Sequence, residues 1–237
     1  MSTHAWLLLG LFLLLLLLAA KPLGNHIANV MEGRGLALRL GGGVESVLYR
    51  LCGVRKDEEM GWFKYALAIL LFNLLGVLAV YALQRLQLWL PLNPQAMANV
   101  SPDSSFNTAV SFVTNTNWQG YGGESTMGYL TQMLGLSVQN FLSAATGIVV
   151  VIALIRGFAR HTAKTIGNAW VDLTRVTLWI LLPLSLVIAV FLAGQGVIQN
   201  FGDYETVETL QGAQQVIPMG PVASQVAIKQ LGSNGGG

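Results

Sequence analysis

Residues 101–124 read SPDSSFNTAVSFVTNTNWQGYGGE. Apolar sequence lies on both sides, yet from Ser104 to Gly123 the chain uses Ser, Thr, Asn, Gln and Gly with no charge. Ser101 is a good N-cap, Pro102 sits where the first helical residue needs no N–H, and Asp103 complements the positive helix end. A helix from Pro102 to Phe112 has eleven residues and is about 16 Å long at 1.5 Å per residue. That is roughly half the hydrocarbon thickness of a bilayer. Such a helix can enter a membrane and cannot cross it. Thr114-Asn115-Thr116-Asn117 follow at once, with Gln119 close behind. Closely spaced carbonyls and neutral side-chain oxygens can replace a cation's hydration shell, whereas carboxylates would hold a monovalent cation too tightly. Gly120, Gly122 and Gly123 allow the chain to turn back. The other reading is an ordinary external loop, because Asn and Gly also mark turns.

The surroundings favour a membrane. Hydrophobic residues make up 53% of the chain and charged residues 10%, where a soluble domain carries about a quarter charged. The composition predicts an all-α polytopic membrane protein. Four apolar segments stand out: Ala5–Ala20, Phe63–Leu83, about 133–155 and about 173–192. A span takes roughly 20 apolar residues, so the first is a little short. A signal peptide would carry Lys or Arg before its apolar run, and MSTHA (1–5) has neither, so a retained helix is expected. Seven of the 13 basic residues lie in 21–64 and four more in 156–175, while 90–127 and 193–220 have none. Basic loops stay cytoplasmic, so the N-terminus and the 101–124 stretch are expected outside. Arg85, near the outer end of the second span, is the awkward exception.

Smaller features carry further expectations. GVESVLYRLCGV (43–54) places Val44, Val47, Leu48 and Leu51 on one face, as in a short helix lying in the membrane interface; a contact for another subunit is the alternative. Cys52 has no partner for a disulfide, and His4, His26 and His161 are expected to be surface or structural. Asn73, Gln139 and Asn140 should face protein, either bonding between helices or lining a vestibule. Pro183 should kink the fourth span, and Asp172 and Arg175 are spaced for a local ion pair. No phosphate-binding loop, catalytic constellation or aspartyl-phosphate motif is present, so no catalytic residue is proposed and ATP chemistry would lie on a partner.

The end of the chain, GPVASQVAIKQLGSNGGG (220–237), repeats the pattern at an offset of 119 residues. Pro221 meets Pro102, Ser233 meets Thr114 and Asn234 meets Asn115. In both copies Pro opens an eleven-residue segment, a single residue follows, and then a hydroxyl–Asn pair. A parallel repeat of span, pore helix, filter and span is the expected unit. Lys229 fits poorly, since it maps onto Val110 inside the second short helix, and a cation beside a cation path is unfavourable.

Together VSFVTNTNWQGYGGE, VQNFLSAATGI, GNAWVDLTRVTLW, GAQQVIPMGPVASQVAIKQLGSNGGG and the early KPLG resemble the KdpA family, the potassium-transporting subunits of bacterial Kdp P-type ATPases. The resemblance is strongest in the two filters and weakest in the leucine run and residues 25–40. It implies the fold of the superfamily of potassium transporters: four span–pore helix–span repeats around one filter, after an extra N-terminal helix. On that pattern 1–24 is the extra helix and 25–62 a cytoplasmic or interfacial segment. Residues 63–158 form the first repeat, with spans 63–89 and 130–156, pore helix 102–112 and filter 114–119. Residues 159–237 begin the second, with span 173–192, external segment 193–220, pore helix 221–231 and filter 232–237. The filter residues are then Thr114, Asn115, Thr116, Asn117 and Gln119, with Gly232, Ser233, Asn234, Gly235, Gly236 and Gly237. Potassium is the implied cargo, with no organic cofactor and no transition-metal site. The implied partners are an ATP-hydrolysing subunit, small accessory subunits and the bacterial inner membrane. A free-standing channel or symporter, or a membrane scaffold with external Asn/Gly turns, remain the alternatives. Potassium rather than sodium rests on the resemblance, because neutral oxygens suit either ion. One repeat and a fragment make half a ring, so the 237 residues alone are not expected to conduct.

Overall fold

Helix α1, Thr3–Met31, begins at an N-cap on Ser2 and continues through Pro22 well past the leucine run. The computed structural model to which it belongs describes residues 2–160 and 164–235; His161, Gly236 and Gly237 lie outside the described residues. The leucines of α1 are exposed, and only Ile27, Val30 and Met31 at its end join the core. Helix α2, Leu36–Leu51, buries Glu45 and Tyr49 and turns Val44, Val47, Leu48 and Leu51 outward. An outward apolar stripe on a short amphipathic helix suits the membrane interface.

The second span is α3, Trp62–Leu86, tightened into a 3₁₀ turn at Gln87–Trp89. Two short helices follow: α4, Pro102–Val113, and the single turn α5, Gly123–Thr126. The third span opens as a π-helix over Thr131–Ser137 and continues as α6, Val138–Ala159. The fourth is α7, Ala169–Arg175, a π-helical stretch Val176–Leu181, and α8, Leu182–Gly194. A hairpin, β1 Glu205–Glu208 with β2 Gln214–Ile217, leads to α9, Val222–Leu231. Its strands are antiparallel, with Glu205 opposite Ile217.

Among the described residues four helices are long and apolar enough to cross a bilayer: Thr3–Met31, Trp62–Trp89, Thr131–Ala159 and Ala169–Gly194. The architecture is all-α and polytopic, with the small hairpin as its one departure among the described residues. One core cluster joins spans two to four through Ile69, Ala145, Val149 and Val176. A second surrounds α4, with Val80, Ala109, Phe112, Leu136 and Met127.

Two expectations are corrected. Asp172 and Arg175 do not pair with each other. Asp172 takes a two-pronged bond from Arg156 at 2.5 and 3.1 Å, while Arg175 lies 3.4 Å from Glu45. Each finds a long-range partner on another helix instead, with its charge buried. Among the described residues Asn73 bonds no neighbouring helix; its amide returns to the Ile69 carbonyl one turn earlier at 2.8 Å. Arg85 is accommodated because its guanidinium bonds the Val100 carbonyl. At Pro183 the ring removes the N–H that would engage the Trp179 carbonyl. The helix is π-wound just before it, and His26 of α1 donates its Nε2–H to that carbonyl at 2.8 Å.

Candidate ion-binding site

Helix α4 begins as its cap residues dictate. The Ser101 hydroxyl accepts from the Ser104 amide, and Pro102 and Asp103 occupy the first turn. Its start is tied to the end of the second span, where Val100 N–H donates to the Gln84 carbonyl at 3.1 Å and Gln84 Nε2 donates to Ser105 O at 3.2 Å. Its last residue reaches Gly76, the fifteenth of 28 residues in that span. A methyl placed on Gly76 would sit 3.3 Å from Val113 Cγ2 and 2.8 Å from Gln139 Nε2, so the helices cross closely here. The short helix therefore ends near the middle of the span it packs against.

Residues 114–117 then curl back under the helix end. The amides of Thr114, Asn115, Thr116 and Asn117 donate to the carbonyls of Val110, Phe112, Ser111 and Ser111, and the Ser111 hydroxyl accepts from Trp118 N–H. Asn115 and Asn117 take left-handed backbone angles, φ 63° and 54°, with Thr116 between them outside that region. Asparagine tolerates this conformation better than most residues. Among the described residues, the carbonyls of Thr114–Asn117 accept no hydrogen bond. The donors of this stretch are spent on the helix and its acceptors are left over.

The second copy spends its amides in the same way, although the carbonyls of Gly232 and Gly235 each accept from an asparagine of the first ribbon. Gly232, Ser233 and Asn234 donate to the carbonyls of Ile228, Gln230 and Lys229, and Ser233 and Gly235 take φ 54° and 67°. Thr114 and Gly232 are the equivalent helix caps, which makes the backbone offset 118 residues rather than the 119 read from the hydroxyl–Asn pairs. Helix α9 is two residues shorter than α4, so its cap arrives one residue early. Lys229 consequently matches Ser111, not Val110: each carbonyl receives the amide five residues on.

The two ribbons meet against the third span. Asn234 Nδ2 donates to Asn115 Oδ1 and lies 3.1 Å from Ser143 Oγ. Ser143 Oγ is 2.9 Å from Asn115 Oδ1. Asn117 Nδ2 reaches Asn140 Oδ1 at 2.8 Å and Gly235 O at 3.3 Å, and Asn115 Nδ2 reaches Gly232 O at 3.4 Å. Ser143 is the thirteenth residue of a 29-residue span. Buried side-chain oxygens of Asn117 and Asn234 have no hydrogen-bond partner among the described residues. The helices α4 and α9 both present their negative carbonyl ends here, and no carboxylate takes part in these bonds.

Of the residues singled out from sequence, the fold brings Thr114–Asn117 and Gly232–Gly235 together. Gln119 bonds the Tyr121 hydroxyl at 3.3 Å and lines a cavity of about 490 Å³ with Gln132, Gln225, Glu124 and Lys229. Lys229 is buried, with Glu124 the carboxylate whose charge it feels. Burial also pushes the phenol of Tyr204, on the same cavity, up to about 12. Sequence reasoning missed Ser111 and Ser143. The signal available was N-x-x-S at 140–143, two small polar residues on one face of an apolar span.

The family model for the potassium-transporting ATPase A subunit, KdpA, matches residues 10–237. A potassium-transporting ATPase potassium-binding subunit of Dechloromonas aromatica is 66% identical, over 100% of this chain and 44% of the relative. Proteins of the same description from Methylibium petroleiphilum and Chromobacterium violaceum are 62% and 58% identical, over 100% of this chain and 42% and 44% of theirs. The chain thus spans less than half the length of these curated relatives. Its match over nearly all of its own length shows that it belongs to the KdpA family of potassium-transporting ATPase A subunits.

Proposed function

We propose that residues 114–119 and 232–237 are two strands of a potassium selectivity filter, in the potassium-binding and translocating subunit of an ATP-driven uptake complex. One observation carries this: the amides of Thr114–Asn117 and of Gly232–Asn234 are committed to the preceding helices, while the carbonyls of Thr114–Asn117 accept no hydrogen bond among the described residues, and both ribbons bond the third span near its middle. Irregular backbone at that depth is tolerated only when buried in protein or lining a watery cavity. Alternating left- and right-handed residues align carbonyls along one edge of a strand, the donor set a desolvated monovalent cation needs. On this reading α4 and α9 are re-entrant pore helices, the extra helix is α1 and runs to Met31 instead of ending at 24, and residues 63–158 and 159–237 are the first repeat and the start of the second. Gln119 and the 490 Å³ cavity belong to the approach to the filter.

Potassium enters from the extracytoplasmic side, where the N-terminus and the hairpin also lie. Hydrolysis occurs on a separate subunit, and this chain contributes no catalytic group. The complex sits in the bacterial inner membrane with small accessory subunits. The test replaces Asn115 by Asp or Gly235 by Asp in the full-length subunit, expressed with its ATPase partner. Loss of growth at micromolar potassium, with normal membrane insertion and co-purification, supports a filter. Unchanged growth and unchanged uptake affinity refute it.

A further inference from the structure

We infer that Asn140 and Ser143 of the third span are positioning residues that fix the spacing between the two filter strands, and thereby set the discrimination among alkali cations. The inference rests on the filter reading above. The two residues lie at i and i+3 on α6, so they share one helical face. Both are buried, at 0% and 3% exposure. Ser143 Oγ stands between the ribbons, 2.9 Å from Asn115 Oδ1 and 3.1 Å from Asn234 Nδ2. It is also 2.6 Å from its own helix carbonyl at Gln139. Its single proton goes to one of the two oxygens, and its lone pairs accept from Asn234. Asn140 Oδ1 holds the Asn117 amide at 2.8 Å, and that same amide reaches Gly235 O of the other ribbon.

Each ribbon is thus bonded both to its counterpart and to a span that neither ribbon belongs to. The ribbons alone are short, irregular and left-handed at alternate residues, which gives them little rigidity of their own. A packed span supplies it: Ala144, Ala145 and Val149 on the same helix are core residues. Gly232 seats against this helix as well, a Cβ there lying 3.0 Å from Ala144 Cβ. Sites of this kind fail when their supporting groups are loose by about 1 Å. Ionic radii of neighbouring alkali cations differ by less than that, so strand spacing controls which ion the carbonyls fit.

The experiment uses the full-length subunit in its complete complex, with uptake of potassium and rubidium measured in proteoliposomes. Ser143→Ala removes the hydroxyl bridge; Ser143→Thr retains it; Thr146→Ala, whose hydroxyl returns to its own helix at Leu142, is the control. The expected result is a rise of about tenfold in the KM for potassium in Ser143→Ala, the equivalent of one hydrogen bond. Its potassium-to-rubidium preference falls toward one, maximal velocity stays within about twofold of wild type, and Ser143→Thr restores both values. A merely structural role would lower the yield of complex and leave the ion preference untouched. An unchanged preference in Ser143→Ala overturns the inference. Should Ser143→Ala fail to assemble, Asn140→Leu is read by the same ratio, and an unchanged ratio there overturns it equally. Gly235→Asp, measured in parallel, separates the two levels. If it alters potassium affinity while Ser143→Ala does not, only the positioning role fails; if neither alters it, the filter reading fails too.

Discussion

Removing the Arg156 guanidinium should destabilise the subunit more than any other single truncation at the basic end of the spans. Arg156 meets Asp172 through both of its terminal nitrogens, at 2.5 and 3.1 Å, and Tyr65 donates its hydroxyl to the same carboxylate at 2.8 Å. The two side chains of the pair are 17% and 3% exposed. In Arg156→Ala the carboxylate stays buried with a single phenol donor. An uncompensated buried charge costs about 3–5 kcal/mol. Tyr65→Phe removes one hydrogen bond to a charged acceptor, about 1.5–3 kcal/mol. The double variant Arg156→Met/Asp172→Leu removes both charges and should recover most of the loss, because apolar replacements of a buried pair are often neutral or better. Thermal unfolding of the detergent-solubilised subunit measures the order, with a fall of about 5–10 °C expected for Arg156→Ala. Lys64→Ala, which breaks the exposed pair with Glu58, is the comparison and should show no resolvable change. If Arg156→Ala unfolds with Lys64→Ala, or the double variant is no better than the single, the buried pair does not carry the stability described.

His26→Ala should cost about 1–3 kcal/mol, since the Trp179 carbonyl facing Pro183 loses its donor. Pro183→Ala restores an N–H to the helix, so the double variant should lose clearly less than the sum of the two single ones in the same unfolding measurement. A third prediction concerns acid. The Thr165 hydroxyl, and after it Arg160, hold the Glu59 carboxyl below its ordinary 4.5. A group with a lowered folded pKa stabilises the fold above its unfolded value, and the contribution fades as pH falls from 4.5 through the folded value. Glu59 is nearly half exposed, so solvent screening limits its contribution to about 1 kcal/mol or less. Hydrogen exchange over 164–168 should therefore be faster in Glu59→Gln than in wild type at pH 6, with the difference shrinking as the pH is taken below 4.5.

The local parts of this fold were legible because short-range chemistry fixes them. Ser101-Pro102-Asp103 announces a helix start, and α4 begins at Pro102. The three long apolar runs are spans because nothing but a bilayer or a large core would hide them. What the sequence concealed depends on partners far away along the chain. Asp172 and Arg175 look paired at three residues apart, and only the arrival of Arg156 and Glu45 from other helices separates them. The continuation of α1 through Pro22 to Met31 is likewise long-range: Arg175 Nη1 caps the Met31 carbonyl at 3.4 Å. The hairpin at 205–217 carries Gly212 in a left-handed turn, but its strands are too polar and too exposed for alternation to reveal them. The repeat was visible, yet its register was misjudged by one residue, because matching side chains obscured where each helix stops.

Two kinds of buried polarity divide the molecule, and each suits its place. At the basic end of the spans the buried groups are full charges in fixed pairs, Arg156 with Asp172 and Arg175 with Glu45. Such pairs hold helices in register, since breaking one strands a charge. Midway along the spans the groups that join the ribbons are neutral amides and hydroxyls, Asn117, Asn140, Ser143 and Asn234 buried and Asn115 half-buried, while a buried cation nearby, Lys229, lies on the neighbouring cavity. Ion pairs there would lock the site, and a lone carboxylate would trap a cation instead of passing it on. Neutral dipoles bind more weakly and can exchange partners, but they must be oriented by something rigid. The span carrying Asn140 and Ser143 ends in Arg156, the residue bound to Asp172. The ion pair that fixes one end of this helix therefore also fixes the height at which its amide and hydroxyl meet the ribbons. Rigidity built from charges at one end is delivered, through one helix, to a site that must itself be uncharged.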